Sequence, residues 1–275
     1  MSLEQTPGVL RRIFWCPTGP FVFLPIHAAG LYGPKPPEPG HNAFEFVVSS
    51  YVPTLSTLAP TPKDDTLPES NGGLRLLTVR QPSSDGQHRL PGVDIELEHI
   101  KAAIRDSPSA QIAHLESTVG TVEEVLGLMK EADWVHFACH GIQDAESPID
   151  SGLCLADGRR LKLSDIIALS RPRGGLAFLS ACQTATGNKD LSDEAIHIAA
   201  GMLFGGYEGV VGTMWSISDK LAPRVARDVY KHLFQNGTKP DHREAARALH
   251  DAVEHLRDRS GTSFVEWLPF IHVGL

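Results

Sequence analysis

The chain has 275 residues, of which 41% are hydrophobic and 21% charged, with a net charge of −8. This is globular composition with ample apolar material for a large core, and the acidic balance, with no Lys/Arg-rich run, excludes a nucleic-acid footprint. The longest near-apolar run, residues 21–33, is too short for a bilayer and carries Pro25 and His27, and the four cysteines (Cys16, Cys139, Cys154, Cys182) lack C-x-x-C spacing, so no membrane partner and a reducing, cytoplasmic compartment are expected.

The opening "MSLEQTPG" has neither a secretory-signal layout nor start-of-domain character, so the chain reads as a piece of something longer. Residues 1–60 read as short strands and a turn of helix around the Pro-rich "GPKPPEPGHN". The polar, breaker-rich "PTPKDDTLPESNGG" (60–73) reads as a linker. We therefore expect residues 1–73 to form a small N-terminal subdomain with its linker, packed on a core of residues 74–275.

From residue 74 strands and helices alternate. "LRLLTVR" (74–80) is β-rich, and residues 93–106 place Leu97, Ile100 and Ile104 at helical spacing. Residues 110–118 read as a second strand. Thr121 and Glu124 form a capping box ahead of "VEEVLGLMK", and "DWVHFACH" (133–140) is the third strand. Asp157-Gly158 marks a hairpin within 152–163, and Ser164 is read as the cap of a short helix. "GLAFLSAC" is the fourth long strand. Asp193 caps a helix with Ile196, Ala199, Ala200 and Leu203 on one stripe.

Residues 208–214 are a fifth strand, and residues 219–234 place Leu221, Val225, Val229 and Leu233 at i+4 steps. Asp241 and Glu244 open a last helix reaching residue 257. Residues 264–273 read as a closing strand, with Pro269 making it an edge or bulged strand. The alternation predicts an α/β fold: a mostly parallel sheet with helices on both faces. Catalytic groups in such folds lie beyond the carboxyl ends of the strands.

Two reactive residues fall at such ends. His140 closes the third strand and Cys182 the fourth, 42 residues later. Strand alternation puts His136, Ala138 and His140 on one face and Cys139 on the other. A free thiol is mostly protonated at neutral pH, and an adjacent imidazole can deprotonate it and then protonate a leaving amine. The backbone N–H groups of Gly141 and Cys182 are the natural oxyanion donors. Singly, each residue is more often structural than catalytic; together, at two strand ends each followed by turn-formers, they read equally as a nucleophile–base pair or as structural residues. A zinc site in "HFACH" is disfavoured, because an extended strand separates the two histidines by ~13 Å and turns Cys139 away. His136 is read either as a support for His140 or as core filling.

"HFACHG" (136–141), "LSACQTATG" (179–187) and "GVVGTMWSISD" (209–219), together with "FVFLPIHAAG", "SSYVPTLSTL" and "WLPFIHVG", resemble the CHAT family of caspase-like, clan CD cysteine peptidases related to separase, from about residue 10 to 275. The resemblance implies a caspase–haemoglobinase-like α/β fold, His140 as general base and acid, Cys182 as nucleophile and Gly141 as an oxyanion donor. It implies a protein or peptide substrate bound by Ser180 and by Asp219, whose carboxylate would attract a Lys or Arg before the scissile bond. It also implies control by a tetratricopeptide-repeat region or partner. No cofactor or metal is expected.

For Asp219 the plainer reading is a cap for a helix starting at Lys220. In the loop 186–194, Lys189 or Asp190 stands as a self-processing site against the favoured reading of a solvated connector. Phosphate-loop and nucleophile-elbow motifs are absent. The expected function is a cysteine endopeptidase with a His140–Cys182 dyad. A catalytically silent peptide-binding module of the same fold is the alternative, and another thiol enzyme, such as an acyltransferase, is a distant third.

Overall fold

The computed structural model describes residues 10–32, 40–59, 73–84, 87–107, 114–142, 144, 146–169, 174–183, 194–235, 239–259 and 262–275, with backbone alone at 114–118, 148, 182, 183 and 194–197. In chain order the elements are β1 (Arg11–Trp15), β2 (Val47–Tyr51), β3 (Arg75–Arg80), α1 (Gly92–Arg105), β4 (His114–Thr118), α2 (Val122–Glu131), β5 (Trp134–Ile142), β6 (Gly152–Cys154), β7 (Arg160–Lys162) and α3 (Leu163–Ala168). They continue with β8 (Gly174–Gln183), α4 (Glu194–Phe204), β9 (Tyr207–Thr213), α5 (Ala222–Phe234), α6 (Ala245–Arg257), α7 (Phe264–Trp267) and β10 (Phe270–Gly274).

The strands form one sheet in the order β1-β2-β10-β9-β8-β5-β3-β4, with the β6–β7 hairpin hydrogen-bonded to the end of β5. All neighbours along that path are parallel except β9 and β10. The chain runs β3, then β4 to one side, then β5, β8 and β9 to the other. The order therefore reverses between β3 and β5, and in doubly wound sheets ligands bind at the carboxyl side of such a switch.

Strand alternation divides the core in two. On one face Trp134, Leu176 and Phe178 pack with Ile100 of α1, Val225 and Val229 of α5 and Leu249 of α6. On the other, Val135, Phe137, Cys139 and Leu179 pack with Val125 and Met129 of α2, Ile166 of α3 and Met202 of α4. The expected sheet with helices on both faces is thus present. Leu221, Val225, Val229 and Leu233 are all buried along one side of α5 and its approach, which is why that i+4 pattern was legible. Thr121 accepts from the Glu124 N–H at 3.4 Å as the N-cap of α2, and Gly158 takes φ 72° at the hairpin turn.

Four local expectations are corrected. Ser164 lies inside α3; the N-cap is Lys162, whose N–H donates to Asp165. The stretch 264–273 is not one strand: Ser263 and Glu266 form a capping box that starts the short α7, and only Phe270–Gly274 is extended. That strand is internal, between β9 and β2, because Pro269 precedes it and offers its carbonyl to the Met214 N–H without interrupting the ladder. In α4, Ile198, Ala199 and Met202 enter the core, whereas Leu203 is only partly buried. Ile196's side chain and the cap at Asp193 lie outside what is described.

The strands of the N-terminal region extend the same sheet, β1 pairing with β2 and β2 with β10. His27 fastens this region: its ring meets the Tyr51 hydroxyl at 2.8 Å and donates from Nε2 to the Leu268 carbonyl at 3.0 Å. Burial lowers the His27 pKa to about 4, the carbonyl opposing it. The unfolded chain, with an imidazole pKa of about 6.5, binds this proton first, so stability should fall as pH drops from about 6.5 to about 4. Urea midpoints at pH 7 and 4.5 test this: a His27→Gln variant should lose less between the two than wild type, and an equal loss would refute it.

Candidate active site

His140 sits at the carboxyl rim of β5, on the face that carries His136 and Ala138. The imidazole is fully buried, and Nε2–H donates to the His88 carbonyl at 2.7 Å. A carbonyl only accepts, so that bond holds the proton on Nε2 and leaves Nδ1 as the basic nitrogen. Nδ1 is buried and has no hydrogen-bond partner among the described residues. The His88 ring packs edge-on against His140, with centroids 5.0 Å apart. Burial lowers the His140 pKa; the bond to His88 and the Asp219 carboxylate oppose the shift, and the His88 ring adds to it.

Cys182 is the register partner of His140 on the adjacent parallel strand β8. Neighbouring strands lie about 4.8 Å apart, and register partners belong to the same face of the pleat. The backbone of Cys182 is described and its side chain is not. The two residues singled out from 42 positions apart are therefore brought to the same rim, in the same row. Gly141 is a ladder residue on both sides, opposite Gln183 of β8 and Leu153 of β6. An oxyanion contact through it would exchange for an existing backbone interaction. Cys139 lies in the opposite core, away from both histidines.

Asp219 follows β9, and its charge acts on His140. Its Oδ2 accepts from the Gly92 N–H at 2.7 Å, the first residue of α1. α5 begins at Ala222 with Leu221 as its cap, so Asp219 does not cap its own helix. It caps α1, 127 residues earlier in the chain. A carboxylate is favoured there by the unpaired N–H groups and the dipole of the helix start. Ser180 lies one row beneath the dyad, opposite Ala138. It is buried, and its Oγ donates to Oε2 of Glu96 at 2.9 Å. Lys189 and Asp190 lie outside the described residues.

Three participants escaped the sequence reading. His88 lies in a connecting segment with no pattern of its own. Gly92 gave no signal beyond its place ahead of a helix. Glu96 did leave one: Val93, Glu96, Leu97 and Ile100 form an i, i+3, i+4, i+7 stripe, and a carboxylate within a buried stripe marks a polar partner.

Comparison with known proteins bears on this arrangement. The CHAT domain family model matches residues 2–275. No curated protein sequence matches. Among solved structures, separase of Saccharomyces cerevisiae, in complex with securin, aligns with a TM-score of 0.51 and 14% identity, over 83% of this chain and 14% of the separase chain. RgpB of Porphyromonas gingivalis, in the complex of its pro- and mature domains, aligns with a TM-score of 0.48 and 9% identity, over 73% of this chain and 47% of that one. The likeness to separase shows the fold, the caspase-like α/β arrangement expected from the sequence. This chain spans only a small part of the separase chain it matches. No described helix is long and apolar enough to cross a membrane.

Proposed function

The chain belongs to the CHAT domain family, and on that premise we propose that it is a cysteine endopeptidase whose nucleophile is Cys182 and whose general base and acid is His140. The observation that carries this reading is the row at the rim: Cys182 and His140 are register partners, and with Nε2–H committed to the His88 carbonyl, His140 Nδ1 has no hydrogen-bond partner among the described residues.

The Cys182 sulfur attacks the scissile carbonyl carbon as its proton passes to His140 Nδ1. The tetrahedral intermediate collapses, the C–N bond breaks, and the amine leaves with that proton. Water, deprotonated by the same Nδ1, then cleaves the thioester, returning the thiol and releasing the new carboxylate. We assign oxyanion stabilisation to the backbone at Cys182 and Gly141. The Asp219 carboxylate, beside His140, selects a Lys or Arg side chain before the cleaved bond, and Ser180 contributes from beneath the rim rather than by touching substrate. We place the chain in a reducing, cytoplasmic setting, where free thiols persist.

A second reading draws on the complete burial of His140: a silent module would hold a peptide without cutting it. The same burial accords with an active enzyme that a partner opens. A repeat region or regulator elsewhere in the full protein would supply that control, and separase, which shares the fold, was solved in complex with a protein, securin. A positional peptide library, run on this chain and on its full-length parent, tests the assignment. Cleavage confined to peptides with Lys or Arg at the fixed position is expected, and it should be lost in Asp219→Asn. Absence of any cleavage by both proteins would favour the silent module.

A further inference from the structure

We propose that Glu96 is a positioning residue for the dyad, binding β5 and β8 together from α1 directly beneath the rim; this rests on the peptidase reading above. Glu96 is buried and meets a polar side chain of each of the two strands. Its Oε2 accepts from Ser180 of β8 at 2.9 Å, and its Oε1 lies 3.2 Å from His136 Nε2 of β5. The latter is a close approach without hydrogen-bond alignment. His136 Nδ1 in turn meets the Tyr230 hydroxyl of α5 at 3.2 Å. Burial, with a smaller push from Glu96, raises the Tyr230 phenol well above its usual range, so it stays a donor.

The rows give this cluster its meaning. His140 faces Cys182; one row below, Ala138 faces Ser180; the next row pairs His136 with Phe178. Rows on one face are about 6.6 Å apart, so the carboxylate grips the two rows that support the dyad. The same stretch of α1 and its approach also hold the rim: the His88 carbonyl orients His140, and the Gly92 N–H holds Asp219. Gly92 and Glu96 are one helical turn apart on the same side. One anchored turn therefore sets the base, the nucleophile strand and the acidic loop together. Buried polar clusters add little net stability compared with apolar packing, and this one ties β5 to β8.

Among the described residues, the titratable groups acting on His140 are His88 and Asp219, with Glu96, His136 and Tyr230 in the rows beneath. The test is the pH profile of iodoacetamide alkylation at Cys182, followed by mass spectrometry, with the half-buried Cys16 as internal control. In wild type, Cys182 should react selectively below pH 7. In Glu96→Gln its rate at pH 6.5 should fall about tenfold, with the midpoint moving toward the free-thiol value of about 8.5. Ser180→Ala, a smaller change that keeps the fold if Glu96→Gln does not, should shift the profile the same way by about threefold, one hydrogen bond's worth. Cys16 should be unaffected. Peptide turnover should lose kcat and not KM. Profiles of both variants superimposed on an activated wild type would overturn the positioning role alone. A wild-type Cys182 no faster than Cys16, in this chain and in its full-length parent alike, would remove the peptidase reading and the positioning role with it.

Discussion

Replacing Cys182 with alanine is expected to lower peptide turnover by about 10³-fold or more while leaving the melting temperature within a few degrees of wild type. The size follows from what the sulfur does: without it there is no covalent intermediate, and water must attack an unactivated amide. His140→Ala should cost about as much. On the proposed mechanism its Nδ1 accepts the thiol proton, and with the ring gone the thiol at neutral pH would stay mostly protonated. Because nucleophile and base act as a unit, the double variant should be no slower than either single one. Turnover by Cys182→Ala within tenfold of wild type would end the assignment. Losses that multiply in the double variant would show two residues acting separately. Circular dichroism on the same samples separates chemistry from unfolding.

Gly92→Ala is expected to destabilise the protein by about 1–3 kcal/mol and to cut peptidase activity by about 10- to 100-fold. The steric warrant is direct. A Cβ at Gly92 would lie 2.2 Å from the backbone oxygen of Asp219 and 2.6 Å from its Oδ1. A flexible side chain could rotate away; a backbone carbonyl moves only with its residue. Helix propensity points the other way, since alanine is favoured over glycine by about 1 kcal/mol inside a helix. At the first turn the propensity gain is smaller than the clash, so the net sign is destabilising. The displaced residue is the acid that caps α1, and the first turn of α1 carries the segment that orients His140. Thermal unfolding with kcat/KM on a basic-residue peptide decides it: a Gly92→Ala protein as stable and as fast as wild type would show that Asp219 yields freely.

Most of the frame was legible before any coordinates. β3, α1, α2, β5, the β6–β7 hairpin, β8, β9 and α5 fall where apolar period, capping residues and turn chemistry put them. These signals are local, and each element buries one face. The misreadings arose where two local signals competed. Residues 264–273 are apolar enough for a strand throughout, yet Ser263 and Glu266 cap a helical turn in their first half. Pro269 marked the boundary between the two halves rather than an edge. Ser164 has the chemistry of a cap, but Lys162 with Asp165 took the position two residues earlier.

The sequence by itself determined that a thiol and an imidazole end two buried strands, because strand length, burial and the turn-formers that stop each strand are written in adjacent residues. Only the tertiary structure decided that β5 and β8 are neighbours with His140 opposite Cys182, that a carbonyl from residue 88 sets the imidazole's proton, and that Asp219 caps α1 while Glu96 ties two strands. Those are relations between segments tens of residues apart. They follow from strand order, register and the requirement that every buried charge find a partner, conditions that exist only once the sheet has closed around them.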